Sequence, residues 1–152
     1  MSNEKELIKL YSNHILKLAS ELPPPSRLKN PDASVKKRSP LCGSAVTVDL
    51  KVEDGMISEF SQDVKACALG QASASVLGKV ALDCTLDDIQ SAHDSLEDML
   101  KHGGEAPRSP FEEMAVLKPA KDFKNRHSSI MLALEAALEA MKQARTKEKD
   151  AQ

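Results

Sequence analysis

A chain of 152 residues is one domain's worth of sequence, and 41% hydrophobic with 29% charged residues places it among ordinary globular proteins. Twenty-one basic against 23 acidic side chains leave a formal charge of −2, which gives no electrostatic footprint for duplex nucleic acid or an anionic membrane. Aromatics at 3%, with no Trp, exclude a base-stacking platform, and no apolar run approaches the roughly 20 residues of a membrane span.

Residues 4–22 carry Leu7, Ile8, Tyr11, Ile15, Leu18 and Leu22 at three- and four-residue steps, which predicts an amphipathic helix. Pro23, Pro24 and Pro25 end it, because proline cannot donate to the helical ladder. Residues 26–41 read as a basic loop in which Arg27, Lys29, Lys36, Lys37 and Arg38 face only Asp32. Ser34–Leu41 can add a weak strand before Pro40. From Ala45 to Val52 the alternation is strict, with Val46, Val48, Leu50 and Val52 on one side and Thr47, Asp49 and Lys51 on the other, the pattern of a half-buried strand. Asp54-Gly55 is a hairpin turn signal, and Ile57, Phe60 (slightly out of phase) and Val64 fit a returning strand.

After Cys67 the pattern is helical to the end. Ala68–Leu82 is small and apolar, and Thr85 followed by Asp87 and Asp88 reads as an N-cap with first-turn acids. That helix stops at Gly103-Gly104. Phe111–Leu117 is a short helix broken by Pro119, and the last helix runs from about Ser128 to Ala144. The expected plan is α+β: a small antiparallel three-stranded sheet packed against several helices, as one domain over 1–145 with a charged flexible tail over 146–152.

Three cysteines, an odd number, argue against a disulfide framework. Met1–Leu10 has no apolar segment of a secretory leader, so the expected localisation is cytoplasmic, where free thiols persist. Cys42 stands at the entrance of the first confident strand. Cys67 follows the hairpin at a helix start, where the positive end of the macrodipole favours a thiolate. His127 stands before the last helix. Two Cys and one His are ligand types that suit zinc or iron. Spacings of 25 and 60 residues form no local knuckle, so two buried structural thiols and a capping histidine remain the alternative. Cys84, a helix length beyond Cys67, reads as structural.

The motifs Pro40-Leu41-Cys42-Gly43-Ser44 and Cys67-Ala-Leu-Gly-Gln-Ala-Ser-Ala-Ser75 resemble those of the NifU/IscU/SufU iron–sulfur cluster assembly scaffolds. The first is similar to Pro-x-Cys-Gly-Asp entering a strand, the second to Gly-Cys-x-x-x-x-Ala-Ser-x-Ser at a hairpin-to-helix junction. Asn30-Pro31 and Thr85-Leu86-Asp87-Asp88 also match, so the resemblance spans about residues 5–142. The long Leu96–Lys124 stretch is similar to the SufU branch, and the Leu-Pro-Pro-Val-Lys chaperone motif of the IscU type is absent.

The resemblance implies a SufU/IscU-like sandwich that carries iron, zinc or a transient Fe–S cluster on Cys42, Cys67 and His127. It implies a cysteine desulfurase and recipient apo-proteins as partners, and a carrier rather than an enzyme. Two family ligand positions are substituted: Ser44 stands for the acidic residue and Ser128 for the third cysteine. The alternatives are a zinc-dependent transferase that accepts persulfide sulfur, and a degenerate metal-free member acting in protein interaction.

Overall fold

The computed structural model describes residues 11–40 and 43–150. Its elements in order are α1 (Asn13–Glu21), β1 (Ala33–Arg38), β2 (Ala45–Glu53), β3 (Met56–Lys65), α2 (Ala68–Val80), α3 (Leu86–His102), a 3-10 segment (Glu112–Asp122) and α4 (Lys124–Asp150). The three strands form one antiparallel sheet in the order β1-β2-β3. Helix α4 packs across β1 and β2, while α2 and α3 flank α4. One hydrophobic cluster joins Val46, Val48 and Leu50 of the sheet to Leu69 and Leu77 of α2, Ile89 and Leu96 of α3, and Ile130 and Leu134 of α4. This is the expected α+β sandwich. Among the described residues no helix is long and apolar enough to cross a membrane.

Several boundaries differ from expectation for local reasons. Among the described residues the first helix begins at Asn13, where the Ser12 hydroxyl accepts the Ile15 N–H and caps it; the part of the expected helix over residues 4–10 lies outside the described residues. It ends at Glu21, with Leu22 driven to extended backbone (ψ 124°) by the proline after it. Strand β1 stops at Arg38, two residues before Pro40.

The hairpin turn is built as expected, with positive φ at Asp54 (54°) and Gly55 (78°). The register slips by one between Lys51 and Val52, so β3 carries an extra residue after Ile57. That bulge explains the displaced phase of Phe60: three residues after Ile57, it pairs with Leu50 and packs against the core, as Ile57 does opposite Val52.

The outer face of β2 is not uniformly solvated. Asp49 is 0% exposed, covered by the segment after the prolines. Arg27 donates to it through Nε (2.6 Å) and Nη2 (3.2 Å), Ser34 Oγ at 2.5 Å and the Leu28 N–H at 3.1 Å. Burial pushes this carboxyl up, but those donors outweigh it and hold it below the usual carboxylate range.

Helix α3 opens with a full capping box between Thr85 and Asp88 and closes on Gly103 in the left-handed region (φ 70°). Pro119 does not break the helix before it. The segment is a run of 3-10 turns over Glu112–Asp122, in which proline's fixed φ is tolerated and its missing donor costs little. The last helix starts at Lys124, four residues earlier than expected, so His127 lies within its first turn rather than before it. Its backbone stays helical through Asp150, across part of the expected tail.

Candidate metal and sulfur site

Cys67 is the N-cap of α2, with extended backbone (φ −68°, ψ 171°) and its carbonyl accepting the Gln71 N–H at 2.8 Å. Its thiol makes no cap bond and is partly exposed. The hairpin register, with Ala45 opposite Lys65, brings the residues before β2 and those after β3 to one end of the sheet.

At that end the loop between β1 and β2 is closed at its base. The Ser39 N–H donates to the Ser44 carbonyl (2.8 Å) and the Gly43 N–H to the Ser39 carbonyl (3.1 Å), with Gly43 at φ 71° where glycine is unstrained. Both flanks of the loop are tied to the start of α4 through hydroxyls. Ser39 Oγ lies 2.6 Å from Ser128 Oγ, and Ser44 Oγ lies 3.0 Å from Ser129 Oγ. Ser129 Oγ also lies 3.5 Å from Cys67 Sγ. Three separated segments therefore meet: the loop flanks, the α2 N-cap and the first turns of α4. Cys42 and Leu41 lie outside the described residues.

His127 is partly buried and its Nε2 lies 2.9 Å from the Ala120 carbonyl and 3.1 Å from that of Lys121. Carbonyls only accept, so Nε2 carries a proton, and in the neutral ring the lone pair is then at Nδ1. An imidazole anchored through one nitrogen to backbone carbonyl is the usual preparation of the other for a metal. His127 and Ser128 also border an open groove of about 570 Å³, whose walls include Glu97, Lys101, His102 and Lys124. Among the described residues no three His, Cys, Asp or Glu side chains converge closely enough to hold a metal.

Cys84 belongs elsewhere. The 13-residue α2 separates it from Cys67, about 20 Å of helix at 1.5 Å per residue. It is 3% exposed, its Sγ donates to the Val80 carbonyl, and burial, then Asp88 and Asp83, push its thiol up to about 11. Two cations of the expected basic loop have structural work: Arg27 on Asp49, and Lys37 paired with Glu139 at 2.8 Å.

Sequence reasoning missed Ser39, Ser129 and Gly70. The last is where α2 approaches α4. A Cβ added there would lie 2.7 Å from Ser129 Oγ, 2.8 Å from Ala66 Cβ and 3.2 Å from the Ser129 carbonyl. The glycine three residues after Cys67 was the available signal.

The NifU-like N-terminal domain model matches residues 11–151. The iron–sulfur cluster assembly scaffold protein IscU of Thermotoga maritima is 25% identical over 133 residues, covering 88% of this chain and 93% of that protein. The crystal structure of a nitrogen-fixing NifU-like protein (N-terminal) from Brucella abortus is 39% identical with a TM-score of 0.91, covering 93% of this chain and 99% of that one. FiSufU of Fervidobacterium islandicum, a SUF-system protein, shares the fold with a TM-score of 0.79 at 18% identity, over 88% of this chain and 98% of its own. With the hairpin, the thiol at the α2 N-cap and a matching family model over nearly its whole length, this chain belongs to the NifU-like N-terminal domain family.

Proposed function

We propose that this protein is an iron–sulfur cluster assembly scaffold that holds iron, zinc or a transient Fe–S cluster as cargo on Cys42, Cys67 and His127. The observation that carries the reading is the meeting of the Cys42 loop flanks, the Cys67 thiol and the start of α4 through the Ser39–Ser128, Ser44–Ser129 and Ser129–Cys67 contacts. The donor chemistry fits such cargo: a partly exposed thiol, and an imidazole whose Nδ1 is left open by the bonds at Nε2. Partial exposure suits a carrier, which must release what it holds. In this reading a cysteine desulfurase supplies the sulfur and recipient apo-proteins take the product; the name of the Thermotoga relative says of that protein only that it is a cluster assembly scaffold.

Ser44 and Ser128 offer neutral hydroxyls where the family pattern has a carboxylate and a thiolate, so cargo is held less tightly than at a complete site. The same hydroxyls support a second reading, a metal-free interaction protein, because Ser128 is paired with Ser39 and Ser44 with Ser129, so both are engaged within the protein itself. Anaerobic purification without chelator, followed by iron, zinc and sulfide analysis, separates the two. The scaffold reading expects bound metal that falls in Cys42→Ala, Cys67→Ala and His127→Ala, and rises in Ser128→Cys. Folded wild-type protein that stays metal-free after reconstitution with iron and sulfide, or with zinc, favours the second reading.

A further inference from the structure

We infer that Ser129 is a positioning residue for the Cys67 sulfur, itself braced by Ser44, so that the two hydroxyls form a directed hydrogen-bond relay from the β2 entrance to the thiol. The inference takes Cys67 as the functional sulfur and to that extent rests on the scaffold reading. Its basis is a chain of contacts, Ser44 Oγ to Ser129 Oγ at 3.0 Å and Ser129 Oγ to Cys67 Sγ at 3.5 Å. Both serines are buried, at 4% and 1% exposure, whereas Cys67 is partly open. In the thiol form either partner of each contact can donate. Once the sulfur is an anion, or a metal ligand, it only accepts, and the relay then has one polarity: Ser44 O–H to Ser129 oxygen, Ser129 O–H to Cys67 sulfur.

The site is shaped to keep the Ser129 hydroxyl there. Helix α2 carries glycine at position 70, and a side chain at that point would occupy the space of Ser129 Oγ. One turn on, the Ser73 hydroxyl donates to the Ile130 carbonyl at 2.8 Å, a second buried bond between α2 and α4 that does not reach the sulfur. Ser73 is therefore the control for loss of a buried hydroxyl between the same helices.

The test compares Ser129→Ala, Ser44→Ala and Ser73→Ala in the full chain. The rate of iodoacetamide alkylation at Cys67 is followed by peptide mass spectrometry at neutral pH after chelator treatment, so that bound metal does not shield the sulfur, with metal content measured before that treatment. Losing the donor destabilises the attacking sulfur anion, so Ser129→Ala should alkylate Cys67 roughly three- to tenfold more slowly. Ser44→Ala should slow it roughly twofold through the weakened relay, and Ser73→Ala should leave it unchanged. Mere loosening between the helices would expose the sulfur and speed alkylation, the opposite sign. An unchanged or faster rate in Ser129→Ala overturns the inference. If that variant does not fold, Ser44→Ala decides: slower supports the relay and unchanged overturns it. A slowed rate in a wild-type background that binds no metal would sink the cargo reading while leaving the positioning role standing.

Discussion

Replacing Asp49 by Asn tests the most committed polar interaction in the fold. The carboxylate is 0% exposed and receives four donor contacts on two oxygens: Arg27 Nε and the Leu28 N–H on Oδ2, Arg27 Nη2 and Ser34 Oγ on Oδ1. An Asn amide of the same shape keeps one oxygen only. Its best placement retains the two contacts at Oδ2 without their charge assistance and turns an NH2 toward Ser34, whose hydroxyl can rotate to accept, and toward Arg27 Nη2, which cannot. Hydrogen bonds to charged groups are each worth about 1.5–3 kcal/mol, and relief of the buried charge offsets part of the loss, so a net cost of about 2 kcal/mol is expected. In a chain of 152 residues that lowers Tm by about 4–8 °C.

The pH dependence has a definite sign. Asp49 is held below its unfolded value, so its contribution is present above the unfolded pKa of about 3.9 and is lost as pH falls through the lower folded value. Thermal unfolding of wild type and Asp49→Asn should therefore differ fully at pH 7 and converge as pH falls below the unfolded value of about 3.9. Equal stability at pH 7, or a gap that persists undiminished in acid, would refute the account of how the segment after the prolines is held to the sheet.

Gly70→Ala should destabilise by about 1–3 kcal/mol, since Ala66 Cβ at 2.8 Å and the Ser129 carbonyl at 3.2 Å cannot swing aside, and this outweighs alanine's better helix propensity; chemical denaturation measures it. Cys84 should resist iodoacetamide at pH 8 in folded protein while Cys67 reacts, because burial holds the Cys84 thiol near 11; equal labelling of both would contradict its placement in the core. Glu135→Gln should raise Tm at pH 7.5, because burial raises the Glu135 pKa and so makes its ionised form costly. That gain should shrink as pH falls toward the unfolded value of about 4.3, where wild type also becomes neutral; a gain independent of pH would point to packing instead.

Much of the architecture was legible because it rests on local chemistry. Alternation from Val46 to Val52, positive φ at Asp54-Gly55 and the Thr85–Asp88 box each depend on residues within a few positions of one another, and each appears where the pattern puts it. The junction at Cys67 was readable for the same reason, as the point where a period of two gives way to a helical one. What the tertiary structure alone decided are contacts between residues far apart in sequence. Asp49 reads as a solvent-facing strand position until Arg27, 22 residues earlier, folds over it. Ser129 reads as an ordinary helical serine until Cys67, 62 residues earlier, and Ser44, 85 residues earlier, arrive beside it. His127 reads as a residue before a helix, and only the carbonyls of Ala120 and Lys121 in the 3-10 segment determine which ring nitrogen is engaged. Backbone propensity is a property of neighbours in the chain, whereas the partner of a buried polar group is set by packing, and packing is where the chemistry of this site is assembled.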